Sequence, residues 1–374
     1  MFCLRWQCNC LLILYRTSNQ MNSKTALIFY SVRSTFVKKD IEILSAQFNV
    51  LEHDFYTEKK AGILWRFFTQ NLFLLKNIWK ADLLICEFAA YQSLLPTLYG
   101  KLFGKPCLIV VGGTDAHYFP GIGYGNWQKP FLKTFTAISF KLCNHIAPKH
   151  KSLMRFDYHY DEHEPEHQGI YERMPHLKTP YTEIPNGYDA GKWKCIAPKK
   201  NNTFITVATG LQYSFQQRLK GMDLILGAAS TFPDCEFIIL GVDDPKVFTG
   251  VPANVKLMPP VKNDELVAVF SSCQFYMQLS MAEGFPNSIC EAMLCECIPI
   301  GSDVFSIPEI IGDSGFVLKK RDIELLKQLI SEALSAPNKP ELMKKARARI
   351  SDNYTLTQRN EKLSGLCTSL VNHS

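Results

Sequence analysis

Two α/β domains, each built on a parallel sheet, are what this sequence predicts, and three observations predict them. From Lys24 onward, short apolar runs alternate with helical stretches, as in strands covered by the helices that connect them. A chain of 374 residues is too long for one small core and suits two domains of ordinary size. The stretch Leu279 to Glu291, L-S-M-A-E-G-F-P-N-S-I-C-E, reads as the end of a buried strand (Phe275–Leu279), a tight loop (Ser280–Phe285) and a helix starting at Pro286. A proline there costs nothing, because the first N–H groups of a helix have no intrahelical partner.

Composition narrows the class. A content of 47% hydrophobic and 20% charged residues is that of a soluble globular protein. The thirteen cysteines have no repeated spacing, and Cys295 and Cys297 are one residue apart, so buried or free thiols in a reducing compartment fit better than a disulfide framework or a zinc site. A net charge of +6 permits attraction to an anionic membrane or substrate without implying nucleic acid.

Taken in order, residues 1–20 carry Arg5 and a short apolar run, Leu11–Tyr15, but no membrane-spanning length and no small-residue cleavage site. They read as an unstructured or mis-started extension, with Met21 as an alternative start. The strands expected next are Ala26–Tyr30, Val50–Phe55, Leu83–Cys86, Cys107–Val111, His145–Ala147 and Thr182–Ile184. The loop after the first is Ser31-Val-Arg-Ser34 and not G-x-G-x-x-G, which removes the main support for a dinucleotide-dependent oxidoreductase.

Between Lys59 and Lys80, Trp65, Phe68, Leu72, Leu75 and Trp79 recur on one helical face, with Arg66, Gln70, Asn77 and Lys80 opposite. Two readings stand. The apolar face packs on the sheet of its domain, or the wide stripe, with Phe73 among the polar residues and five basic residues but no acid between Glu58 and Asp82, lies on a bilayer surface.

After Cys107–Val111 comes V-G-G-T-D-A-H, a loop at the carboxyl end of a parallel strand, where ligands of open α/β sheets bind. Gly112 and Gly113 allow close backbone approach, and Asp115 or His117 is placed to contact a ligand there. A structural turn with Asp115 as a cap is the alternative. Gly121, Gly123 and Gly125 mark a mobile loop. Residues 150–180 hold five of the nine histidines; His159, His163 and His167 have the spacing of a helical metal stripe. Pro165 interrupts it, and Asp157, Asp161, Glu162, Glu164 and Glu166 point instead to a solvated insertion.

The second half is expected to hold strands Phe204–Ala208, Phe237–Leu240, Val255–Met258 and Phe275–Leu279, an apolar run Cys297–Ile300, and a helix beginning near Met222. Asp243-Asp244 lacks the spacing of a metal-binding D-x-D. The Leu279–Glu291 junction presents unpaired backbone N–H groups and a positive helix end, which favour a phosphate or a departing anion. Glu283 lies in its loop, and Glu291 follows Asn287 by four residues, so both face the helix mouth and can accept sugar hydroxyls. Past Glu291, Glu296 stands where helices commonly end in a left-handed glycine, at a cost of about 1 kcal/mol. Ile307–Ile311 and helices from Arg321 complete the domain, and a last helix, Thr355–Val371, is expected to cross back onto the first.

The E-x7-E pattern with its internal G-F-P-N-S resembles the signature of retaining, nucleotide-sugar-dependent glycosyltransferases of the GT-B fold, in the large family numbered four. The resemblance implies two doubly wound Rossmann-like domains facing across a cleft. An acceptor-side domain would span residues 21–185 and a nucleotide-sugar domain 186–351, with 352–374 packing back on the first. Glu283 would contact the donor sugar and Glu291 the nucleotide ribose, within a donor loop of Gly284, Phe285, Pro286, Asn287 and Ser288. Arg218 and Lys220 resemble the family's cation pair on the donor diphosphate, and Ile184–Asp189 its interdomain I-P-N-G-x-D element.

The activity implied is transfer of a sugar, with retained configuration, from a nucleotide-sugar to a saccharide or lipid-linked glycan in cell-surface polysaccharide synthesis. Asp115 and His117 join Glu283 as catalytic candidates. No cofactor, no metal and no nucleic acid are expected, and the setting is cytoplasmic, with peripheral contact to the inner face of an anionic membrane. The rivals are a nucleotide-sugar epimerase or hydrolase on the same fold, and a non-catalytic glycan-binding relative.

Overall fold

The computed structural model describes residues 24–59 and 61–373, so the extension expected at 1–20 lies outside the described residues. The chain divides into two compact units. The first takes the residues up to Val110, Phe135–Ile146 and those from Leu363 onward; the second takes Val111–Thr134 and Ala147–Lys362.

The first sheet contains β1 (Thr25–Tyr30), β2 (Asn49–Asp54), β3 (Leu83–Glu87), β4 (Cys107–Val111) and β5 (His145–Pro148) in the parallel order β2-β1-β3-β4-β5. Every residue of β1, β3 and β4 is buried, as expected of central strands covered on both faces. The connecting helices are α1 (Thr35–Ser45), α2 (Gly62–Asn77), α3 (Tyr91–Phe103) and α4 (Pro130–Leu142). Helix α2 turns the opposite way from the packing expectation. Its buried residues are Gln70, Leu74 and Asn77, while Trp65, Phe68, Leu72, Leu75 and Trp79 are exposed. Gln70 Nε2 donates to the Gln92 carbonyl and Asn77 Nδ2 to that of Phe73. Phe73 is packed inward against the rings of Phe29 and His53.

No strand forms at Thr182–Ile184. Prolines 180 and 185 bracket the run, and a proline cannot donate to a ladder; the Ile184 N–H donates to the Pro148 carbonyl, while the carbonyls of Ile184 and Pro185 accept from Arg359 Nη1. The histidine-rich segment does not form the helix of a metal stripe, and only part of it is solvated: Asp157, Glu162 and Glu166 are exposed, but Asp161 and Glu164 are buried. It forms a two-stranded antiparallel ribbon, β6 (Phe156–Asp157) and β7 (His167–Gln168), followed by the short α5 (Ile170–Arg173). Tyr158, Tyr160, Asp161 and Glu164 are buried in the second unit, because Asp161 accepts from Arg218 and Glu164 from the Gly121 N–H. His159 and His167 are exposed and pair with Glu166 and Asp157.

The second sheet is six-stranded and parallel, in the order β10-β9-β8-β11-β12-β13. Its strands are β8 (Lys200–Val207), β9 (Glu236–Leu240), β10 (Val255–Met258), β11 (Cys273–Gln278), β12 (Ile298–Ser302) and β13 (Phe316–Leu318). Phe204 of β8 sits in register with Phe237 and Phe275, and the rings stack at 4.8 and 4.7 Å. Around the sheet lie α6 (Ser214–Leu219), α7 (Met222–Ala229), α8 (Asn263–Ser272), α9 (Asn287–Leu294), α10 (Ile307–Ile311), α11 (Ile323–Ser335), α12 (Lys339–Asn353) and α13 (Leu356–Asn372). Among the described residues no helix is long and apolar enough to cross a membrane.

Candidate active site

Strand β11 is buried at every position and ends at Gln278, one residue before the expected Leu279. The chain turns through Leu279–Phe285 into α9. Pro286 caps this helix instead of opening it: with φ −69° and ψ 126° it holds the extended conformation of an N-cap, and Asn287 is the first helical residue. At the other end the helix closes with Glu296 at φ 64°, while the Cys297 N–H bonds the Ala292 carbonyl and the Glu296 N–H that of Met293. That bond pair is the Schellman closure usually given to glycine.

Glu283 is the centre of a hydrogen-bond network. Its Oε1 accepts from Lys220 Nζ at 2.6 Å, Ser280 Oγ at 2.8 Å and Gln278 Nε2 at 3.1 Å. Gln278 Oε1 in turn accepts from Ser288 Oγ and Tyr276 Oη, so the loop and the first turn of α9 are tied through one amide. Lys220 ends α6 and is followed by Gly221 at φ +70°, whose α-carbon lies so close to the Leu279 carbonyl that a Cβ would stand 2.3 Å from it. The Met281 N–H to Leu219 carbonyl bond, 2.8 Å, locks the two loops together.

Arg218 does not join Lys220. It pairs with Asp161 at 3.3 Å on the wall of a cavity of about 710 Å³ whose lining includes Tyr160, Lys320 and Arg321. The separation follows from helix geometry, since residues two apart point about 200° from each other. Arg321 is held there by Asp223, at 2.7 and 2.6 Å.

The glycine pair after β4 permits an approach by protein backbone. A Cβ on Gly284 would stand 1.8 Å from the Gly112 carbonyl oxygen, so the Glu283 loop and the V-G-G-T-D-A-H loop meet where no side chain fits. Asp115 is wholly buried, and its Oδ1 accepts from the Gly113 and Gly112 N–H groups at 3.0 and 3.3 Å, closing the turn. Its carbonyl accepts from Trp127 Nε1.

His117 is also wholly buried, but among the described residues neither ring nitrogen has a hydrogen-bond partner. The imidazole is boxed by Phe119, Tyr124 and Phe305, the last at 4.3 Å between centroids. Burial, and then the Lys220 charge, lower its pKa to about 3, so the ring is neutral with one N–H and one lone pair. Phe305 holds φ +48°, a left-handed conformation that a bulky residue rarely adopts, to present its ring to the imidazole.

Glu291 is buried on α9, and its carboxylate acts with that of Glu283 on Tyr276, whose pKa is raised by burial first and then by both charges. The I-P-N-G-Y-D segment docks on the same helix start. Asn186 donates to the Phe285 carbonyl and to Asn287 Oδ1, and Tyr188 Oη donates to Asn287 Oδ1 at 2.9 Å. Phe285 packs edge-on against Tyr354.

Sequence reasoning assigned no role to Gln278 or Ser280 and read Asn186 and Tyr188 only as part of the Ile184–Asp189 element, because their partners are remote or set by loop shape; Gln278, polar within the otherwise apolar run Phe275–Leu279, was the available signal. It also passed over His150, Glu183 and Glu309. Among the described residues these three form the one group with metal-ligand spacing. Lys151 Nζ already lies 3.0 Å from Glu309 Oε2, and His150 Nδ1 accepts from the Ser152 N–H, which leaves Nε2 to donate to Glu309 at 3.2 Å. Glu309 is therefore already answered by a lysine and an imidazole of the protein.

Residues 197–350 match the family model described as glycosyl transferases group 1. Over 73 residues, 20% of the chain, the sequence is 30% identical to the serotype-specific mannosyltransferase WbdA of Escherichia coli, and it spans 9% of that relative's length. Among solved structures, sucrose-phosphate synthase from Thermosynechococcus elongatus has a TM-score of 0.71 at 13% identity, covering 94% of this chain and 100% of that one. HepE of Anabaena, solved with UDP-glucose, has a TM-score of 0.66 at 13% identity, covering 92% and 99%. At such identities the likeness shows the fold, which is GT-B.

Proposed function

We propose that this chain, a group 1 glycosyl transferase by the match over residues 197–350, moves a hexose from a nucleoside-diphosphate sugar to a saccharide or lipid-linked glycan with retained configuration. The observation that carries the proposal is the Lys220–Glu283 pair, 2.6 Å apart and directly before the N-terminus of α9. It sets one cation and one carboxylate beside a helix end whose free N–H groups favour a phosphate.

In this reading the diphosphate lies at the start of α9 and draws Lys220, while Glu283, held through Oε1, presents Oε2 to a sugar hydroxyl. Glu291 takes the ribose. The bond between the anomeric carbon and the β-phosphate oxygen breaks, the acceptor oxygen bonds to that carbon on the same face, and the departing phosphate takes the acceptor's proton. Lys220 and the helix end stabilise the charge left on the leaving group. His117, neutral and unpartnered, supplies a hydrogen bond to the bound sugar or acceptor; an unmet buried polar atom costs about 1–3 kcal/mol, which such a ligand relieves.

The match to WbdA favours mannose as the transferred sugar, and the UDP-glucose complex of HepE makes glucose the first comparison. Surface polysaccharide is the proposed product, made at the inner face of an anionic membrane. The test is incubation with each nucleoside-diphosphate hexose, with and without lipid-linked saccharide, read by mass spectrometry. Extended glycan of retained configuration supports the reading. Free hexose or an epimer in equal yield without acceptor replaces transfer by hydrolysis or epimerisation, and binding without turnover leaves a glycan-binding relative.

A further inference from the structure

Among the described residues of the first unit, an apolar surface is left uncovered. Five residues of α2 and its following turn, Trp65, Phe68, Leu72, Leu75 and Trp79, are 62, 51, 50, 50 and 72% exposed. Helix α3 extends the surface. Trp79 packs edge-on against Phe103 at 4.9 Å, Tyr99 Oη donates to Asn71 Oδ1 at 2.7 Å, and Leu98 and Leu102 are exposed on the same helix. Both helices keep polar residues inside: Gln70 of α2 bonds the Gln92 carbonyl, and Gln92 bonds that of Glu87. An inward face whose polar side chains donate to backbone carbonyls, and an outward face of tryptophan, phenylalanine and leucine, is the inverse of a helix that serves only its own core.

Charge identifies the occupant. Residues 59–81 and 88–114, which span both helices, contain no aspartate or glutamate. Lys76, Lys80 and Lys101 are exposed beside the apolar residues. Two tryptophans, flanking lysines and a helix of 16 residues, about 24 Å at 1.5 Å per residue, match an element that lies in the plane of a bilayer at the headgroup level. A protein partner would leave these cations unanswered unless it were itself acidic; an anionic lipid surface answers all of them at once.

We propose that the α2–α3 face is a docking surface for an anionic lipid bilayer, with Trp65, Phe68, Leu72, Leu75, Trp79, Leu98 and Leu102 inserted among the acyl chains and Lys76, Lys80 and Lys101 on the headgroups. It rests on the proposed reaction only for its purpose, bringing the enzyme to a lipid-linked acceptor.

The experiment is flotation of the full chain with phosphatidylcholine vesicles, with and without phosphatidylglycerol, at low and high salt. The parent protein is expected to float with the anionic vesicles, to be released by salt, and to shift its tryptophan emission to the blue on binding. Trp65→Glu/Trp79→Glu is expected to bind at least tenfold more weakly with unchanged melting temperature, whereas Ile196→Glu, at an exposed apolar site of the second unit, binds like the parent. Lys76→Gln/Lys101→Gln keeps the apolar face and is expected to lose the preference for phosphatidylglycerol, a result that does not depend on a buried change folding correctly. No flotation of the parent, equal flotation of the tryptophan variant, or a surface whose substitution changes only self-association would overturn the proposal. Nucleoside diphosphate affinity, measured alongside, reports on the transfer reading separately, since it needs no membrane.

Discussion

At the scale of single residues, the two glutamates have the same chemistry and different partners. Glu283 is fixed by three donors on one oxygen, and Glu291 lies one helical turn inside α9. Glu291→Ala is expected to weaken nucleoside diphosphate binding by about 1.5–3 kcal/mol, the range for a hydrogen bond to a charged group. Glu283→Ala should spare that affinity and depress turnover, because the free nucleotide carries no sugar. Isothermal titration beside steady-state rates separates them, and equal loss of nucleotide affinity in both variants would refute the assignment. His117 makes a prediction in pH. Its folded pKa, lowered to about 3 from 6.5, means that the unfolded chain binds a proton the folded chain refuses, so stability falls as pH drops through that window. Between pH 6 and 5 the parent should lose up to about 1.4 kcal/mol per pH unit more than His117→Gln. Parallel urea unfolding curves across that range would show that the imidazole is not buried neutral.

At the scale of elements, loops pressed together by glycine and a helix closed without it respond oppositely to substitution. Gly284→Ala puts a methyl where only 1.8 Å separates it from the Gly112 oxygen, so the Glu283 loop has to move. The expected result is a lower melting temperature with loss of transfer, and a fully active, equally stable variant would contradict the geometry. Glu296→Gly relieves a left-handed residue at φ 64°, and is expected to raise stability by about 1 kcal/mol, read as a higher urea midpoint at unchanged slope. A neutral or lower midpoint would mean that the side chain offsets its own strain.

At the scale of the whole molecule, the positive field around the proposed diphosphate comes from Lys220 and the end of α9, so transfer is expected to persist in excess EDTA; activity lost with the chelator and restored by one divalent metal would show otherwise. A bound donor at a hundred times its dissociation constant should add about 2.7 kcal/mol of apparent stability, visible as a thermal shift. Much of this was legible in the residues. Alternating apolar runs located ten of the eleven parallel strands to within a few residues, missing only the three-residue β13, and the E-G-F-P-N-S stretch located the strand, loop and helix start, because these depend on periodicity and on proline and glycine chemistry that act over a few residues. Other outcomes depend on partners far apart in sequence. That α2 shows its aromatic face to solvent follows from polar pairings with Gln92 and inward packing of Phe73. That the segment around Tyr158 and Tyr160 is core follows from Arg218 and Arg321 reaching Asp161. That Arg218 and Lys220 part, and that His117 is buried without a partner, are set by helix phase and by the box of Phe119, Tyr124 and Phe305. Local pattern determined which elements form; only tertiary contact decided which faces they turn inward, since the free energy of burying a side chain depends on what waits on the other side.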